Sequence, residues 1–199
     1  MMPAPPDEIV GILLAAGRST RFGADKLIHP LGDGTPLAIA SASILLPTCD
    51  RVVSMLRPEQ IDLRRMLDDL GVDTRVDRAC VEGMGSSLAC AVRATPSASG
   101  WLIALADMPF VQHGTVRSIV TALRHGAELA APIYRGRRGH PVGFSRRWYA
   151  ELCDLHDDRG PRRILERHTE RITRVAVDDP GIYRDIDTPG DLAFACRTP

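Results

Sequence analysis

The sequence predicts an α/β protein with a doubly wound, mostly parallel sheet and helices on both faces. Three observations carry this prediction. Short apolar runs alternate with segments of helical length along most of the chain. These runs end abruptly in small residues, Gly or Asp-x-Pro, as buried strands feeding loops do. The 199 residues, 44% of them hydrophobic, are enough for one domain with a substantial core.

The elements follow in order. Residues 9–14 (IVGILL) form a buried strand that breaks into Ala15-Ala16-Gly17. Residues 36–46 are apolar over a helical length and closed by Pro47, and residues 51–56 read as a second strand. Pro58 opens a helix whose apolar positions Ile61, Leu63, Met66, Leu67 and Leu70 suit one face, with Gly71 as its stop. Residues 72–76 are a short strand, and Gly83-Met84-Gly85-Ser86-Ser87 opens a helix over 88–94. Residues 101–106 form a third buried strand ending at Asp107-Met108-Pro109, followed by a helix over 116–123 and a strand over 129–134. The rhythm then changes. Gly136, Gly139, Pro141 and Gly143 punctuate a hairpin, and residues 146–155 and 161–168 read as helical. Residues 171–177 and 182–184 read as short strands, and Thr188-Pro189 caps and starts a last helix.

The bulk numbers exclude several function classes. The 25 basic and 25 acidic residues cancel, which argues against a broad nucleic-acid footprint. No apolar run is long enough to span a membrane, and no secretory signal is visible. Cys49, Cys80, Cys90, Cys153 and Cys196 are an odd count without a Cys-x-x-Cys pair. That speaks against a disulfide framework or zinc ribbon, and for mostly buried thiols in a reducing cytoplasm.

The loop after the first strand is the first chemical signal. Its side chains are tiny, so backbone N–H groups can approach a ligand, and Arg18, Arg21 and Lys26 add cations. Exposed amides beside fixed cations suit a triphosphate, although the spacing is not that of a Walker A loop. In open α/β sheets ligands bind beyond the carboxyl ends of the strands, where both Gly17 and Asp107 fall. Asp107 and Asp187 each close an apolar segment before a proline turn. Singly, each reads as a turn or capping residue. Together, beside a cationic loop, they suit a magnesium ion, which takes one or two carboxylates plus phosphates and waters. Ser86 and Ser87 suit either a helix cap or a nucleotide contact. His140 suits either a base or a structural turn. Arg162 sits in the first turn of a helix, where its charge opposes the dipole, and this points to an anionic ligand nearby. The other arginines of 135–138 and 159–174 read mainly as solvated faces.

Six ordered segments carry a family resemblance. They are Leu13-Leu14-Ala15-Ala16-Gly17 with Arg21-Phe22-Gly23 and Lys26; Gly83-Met84-Gly85-Ser86-Ser87-Leu88; and Leu105-Ala106-Asp107-Met108-Pro109. They continue with Arg138-Gly139-His140-Pro141-Val142, Asp158-Arg159-Gly160-Pro161-Arg162, and Asp185-Ile186-Asp187-Thr188-Pro189-Gly190-Asp191-Leu192. The chain resembles the MobA-like NTP transferases, and within them the molybdenum cofactor cytidylyltransferase-like branch. Phe22 stands where that family usually has Met, and Asp33-Gly34-Thr35 lengthens the following loop.

The resemblance implies a Rossmann-like fold, Mg²⁺, and transfer of a nucleotide from an NTP to a phosphorylated acceptor with loss of pyrophosphate. It implies one domain over 1–199, with residues 1–134 nucleotide-binding and 135–199 acceptor-side and metal-binding. Leu14, Ala15, Ala16, Gly17 and Arg18, with Ser86 and Ser87, would line the nucleotide. Arg21 and Lys26 would hold its phosphates, and Asp107 and Asp187 the metal. His140 and Arg162 would face the acceptor. Ala15-Ala16-Gly17, rather than Ala-Gly-Gly, resembles the cytidine-using branch and points to CTP, while the resemblance as a whole implies a molybdopterin-type acceptor destined for a molybdenum hydroxylase or its maturation factor. Use of GTP, another phosphorylated acceptor, or a non-catalytic carrier or insertion chaperone are the alternatives.

Overall fold

Alternation along the first strand sets the architecture. Ile9 and Leu13 face one side of the sheet and Val10 and Ile12 the other, all buried. A strand buried on both faces needs helices on both, and the chain supplies them. The computed structural model describes residues 7–17, 22, 25–78, 83–156, 160–188 and 190–191. In chain order the elements are β1 (Ile9–Leu14), α1 (Leu37–Ser43), β2 (Arg51–Leu56), α2 (Ile61–Leu70), β3 (Asp73–Val76), α3 (Met84–Arg93), β4 (Gly100–Leu105) and α4 (His113–Arg124). There follow β5 (Leu129–Tyr134), β6 (Arg137–Arg138), β7 (Val142–Ser145), α5 (Tyr149–Cys153), α6 (Arg162–Arg167) and β8 (Ile172–Ala176).

The strand order is β3-β2-β1-β4-β7-β5-β6, with β8 also paired to β5. Pairings of β1 with β2 and β4, β2 with β3, and β5 with β8 are parallel, whereas β7 runs antiparallel to both β4 and β5. Helices α1, α2 and α4 cover one face, packing Leu37, Leu63, Leu67, Ile119 and Val120 onto Ile9 and Leu13. Helices α3, α5 and α6 cover the other, with Leu88, Val92, Leu152 and Leu165 against Val10, Ile12, Trp101 and Phe144. The predicted doubly wound, mostly parallel fold is the observed one.

Two expectations change in detail. The buried stripe of α2 is Leu63 and Leu67; Ile61 and Met66 are exposed, so its apolar face is narrower than the sequence pattern. Gly71 does end that helix, at φ 96°, a left-handed backbone that favours glycine. Residues 182–184 form no strand: Ile182 and Tyr183 end a 3-10 turn (Pro180–Tyr183) and Arg184 is its C-cap. Asp179 caps that turn and, with Thr115 and Gln112 N–H, staples it to the start of α4, so no sheet edge is offered there.

Among the described cysteines Cys49 is a buried thiol, its pKa pushed up to about 12 chiefly by burial. Cys153 is free and half-buried, and Cys90 is disulfide-bonded, against the expectation of mostly buried thiols. Among the described residues no helix is long and apolar enough to cross a membrane.

Candidate active site

Parallel pairing of β1 with β4 places Leu14 beside Leu105, so the two following loops start together. Ala106 N–H donates to Leu14 O at 3.1 Å and keeps them in step past the strands. Ala15 is buried, and its carbonyl accepts from the Gln60 side chain at 3.0 Å. Gln60 Oε1 in turn accepts from Arg57 N–H at 2.9 Å. Sequence reasoning passed over Gln60; a polar side chain at the mouth of an amphipathic helix is its only signal. At Gly17 a Cβ would meet nothing within 4 Å, so the missing side chain leaves open space rather than relieving a clash. Arg18 and Arg21 lie outside the described residues.

Lys26 is the sole lysine of the chain; the rest of its 25 basic residues are arginines. It lies on a 3-10 turn (Lys26–Ile28) capped by Asp25 and anchored by buried Leu27. Its ammonium donates to Asp107 Oδ2 at 2.8 Å, Asp187 Oδ1 at 2.9 Å and Ile186 O at 2.8 Å. Burial works against that charge. The hydrogen bonds and charges of Asp107, then Asp187, outweigh it and hold the Lys26 pKa above the ordinary lysine value. Asp107 Oδ1 is buried without a hydrogen-bond partner.

The backbone brings the carboxylates together. Ile186 N–H donates to Asp107 O at 2.9 Å, aligning the 185–188 segment with the end of β4. Asp191 Oδ2 then accepts from Asp187 N–H, Thr188 N–H and the Thr188 hydroxyl at 3.1, 2.7 and 2.8 Å. Asp191 N–H returns a bond to Thr188 Oγ1 at 3.3 Å, so Thr188 caps this turn as its sequence position predicts, and Asp191 makes the capping reciprocal. Those bonds, the Thr188 hydroxyl first, hold the Asp191 carboxyl below its usual pKa.

His140 and Arg162 meet in a second feature, a cavity of about 620 Å³ that also contacts Met84, Leu105, Arg137 and Arg138. A bulge creates one of its walls. From Ile133 back to Ala130 the β5 strand advances three residues, while its partner advances five, from Arg138 to Gly143. The two extra residues break the ladder at Gly139-His140-Pro141, whose His140–Pro141 peptide bond is cis. Gly139 is required there, since a Cβ would lie 2.4 Å from Ile182 O. Burial, reinforced by Arg138 and opposed by Asp185, lowers the His140 pKa to about 4. Its imidazole is therefore neutral at pH 7, and its Nδ1 is buried without a partner.

Arg137 and Arg138, read from sequence as solvated, contribute to the cavity. Tyr183 sets the hairpin that carries them: its hydroxyl meets Tyr134 O at 2.6 Å and Arg137 O, and its ring lies 4.8 Å under the Arg137 guanidinium. Arg162 is exposed and paired with Glu166 at 2.6 Å. An intrahelical partner explains its place at the start of α6, so that position alone no longer points to an anion. Ser86 and Ser87 lie in the first turn of α3 behind its N-cap Gly83, so neither caps the helix; Ser87 is buried. Among the described residues no cluster of three or more His, Cys, Asp or Glu side chains is present.

The loop after β1 thus carries a lysine that bridges two carboxylates, and an arginine-lined cavity lies beyond the hairpin of β5 and β6. The family model for the MobA-like NTP transferase domain matches residues 11–172, and the chain belongs to that family. It is 31% identical over 199 residues to a molybdenum cofactor guanylyltransferase of Cupriavidus pinatubonensis, covering 94% of this chain and 95% of the relative. It is 27% identical to the purine catabolism protein PucB of Bacillus subtilis, covering 95% and 96%. The crystal structure of Rv0371c from Mycobacterium tuberculosis in complex with manganese superposes with a TM-score of 0.82 at 28% identity, covering 96% and 100%.

Proposed function

We propose that this chain is a Mg²⁺-dependent nucleotidyltransferase that moves CMP from CTP to a molybdopterin-type acceptor and releases pyrophosphate. The observation that carries the reading is the convergence of Lys26, Asp107 and Asp187 at the carboxyl ends of β1 and β4. Asp107 and Asp187 would hold the metal. The donor set is all oxygen, and Asp107 offers a buried oxygen with no other partner, which fits a hard cation. When bound, such an ion neutralises phosphate charge and polarises the reacting phosphorus.

Lys26 and Arg21 would steady the triphosphate, while Leu14, Ala15, Ala16, Gly17 and Arg18, with Ser86 and Ser87, would line the nucleotide. His140, Arg162 and the cavity arginines Arg137 and Arg138 would receive the acceptor, so residues 135–199 supply its side and 1–134 that of the nucleotide. An acceptor phosphate oxygen attacks the α-phosphorus in line as the bond to pyrophosphate breaks. A phosphate monoester is already largely ionised at pH 7, so no protein base is needed. His140, neutral and buried, then acts as a hydrogen-bonding group rather than a proton carrier.

Ala16 favours CTP by its likeness to the cytidine-using branch. The guanylyltransferase named among the relatives favours GTP, which is the second reading. Pyrophosphate release with molybdopterin, Mg²⁺ and each NTP in turn separates them. Preference for GTP overturns the base assignment alone. Nucleotide binding without turnover would instead make the chain a carrier or insertion chaperone.

A further inference from the structure

We infer that Lys26 is a built-in counterpart of the divalent cation: ammonium and metal hold the Asp107–Asp187 pair alternately. Lys26 becomes free for phosphate only when those carboxylates receive another cation. The phosphate half of this inference rests on the nucleotidyl-transfer reading; the cation half does not.

An ammonium has three N–H donors, and Lys26 spends all three on Asp107, Asp187 and Ile186 O. None remains for a phosphate in this arrangement. A hard cation held by both carboxylates would take an oxygen of each at about 2.1 Å, from a set in which the ammonium already holds Asp107 Oδ2 and Asp187 Oδ1 while Asp107 Oδ1 stands open beside them. A dication so placed would stand directly beside the ammonium on the same two carboxyl groups, so the two positive charges repel and compete for the pair. The residue type fits the task. A compact ammonium on a flexible stem suits a nest of three oxygens and can leave it, whereas a planar guanidinium fork does neither well. The chain uses arginine at every other basic position and lysine only here.

The surroundings stay in place when the lysine leaves. Leu27 anchors its turn in the core. Ile186 N–H and the Asp191 carboxylate fix the backbone of Asp107 and Asp187 without help from Lys26. The carboxylates are thus presented in either state, and only the ammonium swings. Metal and triphosphate then bind with positive linkage, because each takes one of the two partners that Lys26 cannot hold at once.

A single lysine makes the test direct. Protein labelled with ¹⁵N-lysine gives one side-chain ammonium correlation. Titration with Mg²⁺ alone, without nucleotide, should move that signal saturably from its starting position. In parallel, Mn²⁺ binding is counted by electron paramagnetic resonance for wild type and Lys26→Met. The variant should bind about tenfold tighter or better, since no lysine-bound form competes. The gain should persist at high salt, because competition in direct contact is not screened. An unmoved lysine signal at Mg²⁺ saturation overturns the inference. So does equal or weaker Mn²⁺ binding by Lys26→Met, a gain that vanishes at high salt, or no Mn²⁺ binding by either protein. If a melting curve shows Lys26→Met unfolded, the wild-type titration decides alone. No nucleotide or acceptor enters these measurements, so failure of the CTP or molybdopterin assignment leaves their outcome intact.

Discussion

Lys26 and Asp107 lie 81 positions apart in sequence, yet the ammonium donates to the carboxylate at 2.8 Å with both side chains largely buried. Asp107 is thereby the partner of a buried cation, and in the proposed reaction it would also hold the metal. Asp107→Asn keeps the shape and removes the charge. It should lower pyrophosphate release by about a hundredfold or more, the scale for loss of one preorganised charge-stabilising group. Because Asp187 still pairs with Lys26, the stability loss should be modest, about 1–3 kcal/mol by urea denaturation.

The buried neutral His140 sets an acid limit on stability. Its folded-state pKa of about 4 lies below the ordinary 6.5, so between those values the unfolded chain takes up a proton that the folded one refuses. Stability should therefore fall as pH drops from 6.5 to 4, with roughly 3 kcal/mol attributable to this residue. In His140→Gln the part of that fall due to the imidazole should vanish, as read from denaturation midpoints across the pH range. Wild type and variant with parallel pH profiles would contradict the assignment.

Tyr183 positions the cavity arginine rather than touching a reacting atom. Tyr183→Leu removes both the hydroxyl ties and the ring beneath Arg137, whereas Tyr183→Phe keeps the ring. Steady-state kinetics should show acceptor KM raised about fivefold in the Leu variant, less in the Phe variant, with kcat and NTP KM nearly unchanged. Equal effects on NTP and acceptor would point to a general loss of structure instead.

Asp179, eight positions before Asp187, is a structural anchor. Its buried carboxylate accepts from Gln112 N–H at 2.9 Å, the Thr115 hydroxyl at 2.6 Å and Gly181 N–H at 2.8 Å. Asp179→Ala strands three donors and should cost about 3 kcal/mol in thermal or urea unfolding.

Ala16 should govern base preference through space rather than charge. If the methyl narrows the nucleotide site, Ala16→Gly should shift the CTP-to-GTP ratio of kcat/KM toward GTP by about tenfold. An unchanged ratio would remove Ala16 from base selection.

The strands and helices of residues 9–134 were legible in the sequence because burial on both faces of the sheet imposes continuous apolar runs separated by loops. The second half was less legible. The bulge at Gly139-His140-Pro141 is a register offset between strands, visible only once β5 and β7 are paired. Residues 182–184 carry strand-like side chains, but Ile182 and Tyr183 lie in a turn capped by the Asp179 carboxylate, and Arg184 closes it. At the site, Asp107, Asp187 and Lys26 were each marked by position, yet their direct contact depends on a backbone bond from Ile186 to Asp107 that no local pattern encodes. Gln60 and Tyr183 act through main-chain carbonyls, which leave no residue-type signature. Arg162 opposes a helix dipole in the sequence pattern, and its partner is Glu166, one turn on.

Incubation of the purified protein with CTP, Mg²⁺ and molybdopterin, followed by mass-resolved product analysis, is the most direct measurement. The nucleotidyl-transfer reading predicts a molybdopterin cytosine dinucleotide formed one-for-one with pyrophosphate, and loss of both in Asp107→Asn. Absence of dinucleotide with CTP, GTP or any other NTP, from folded protein that binds nucleotide, would contradict it.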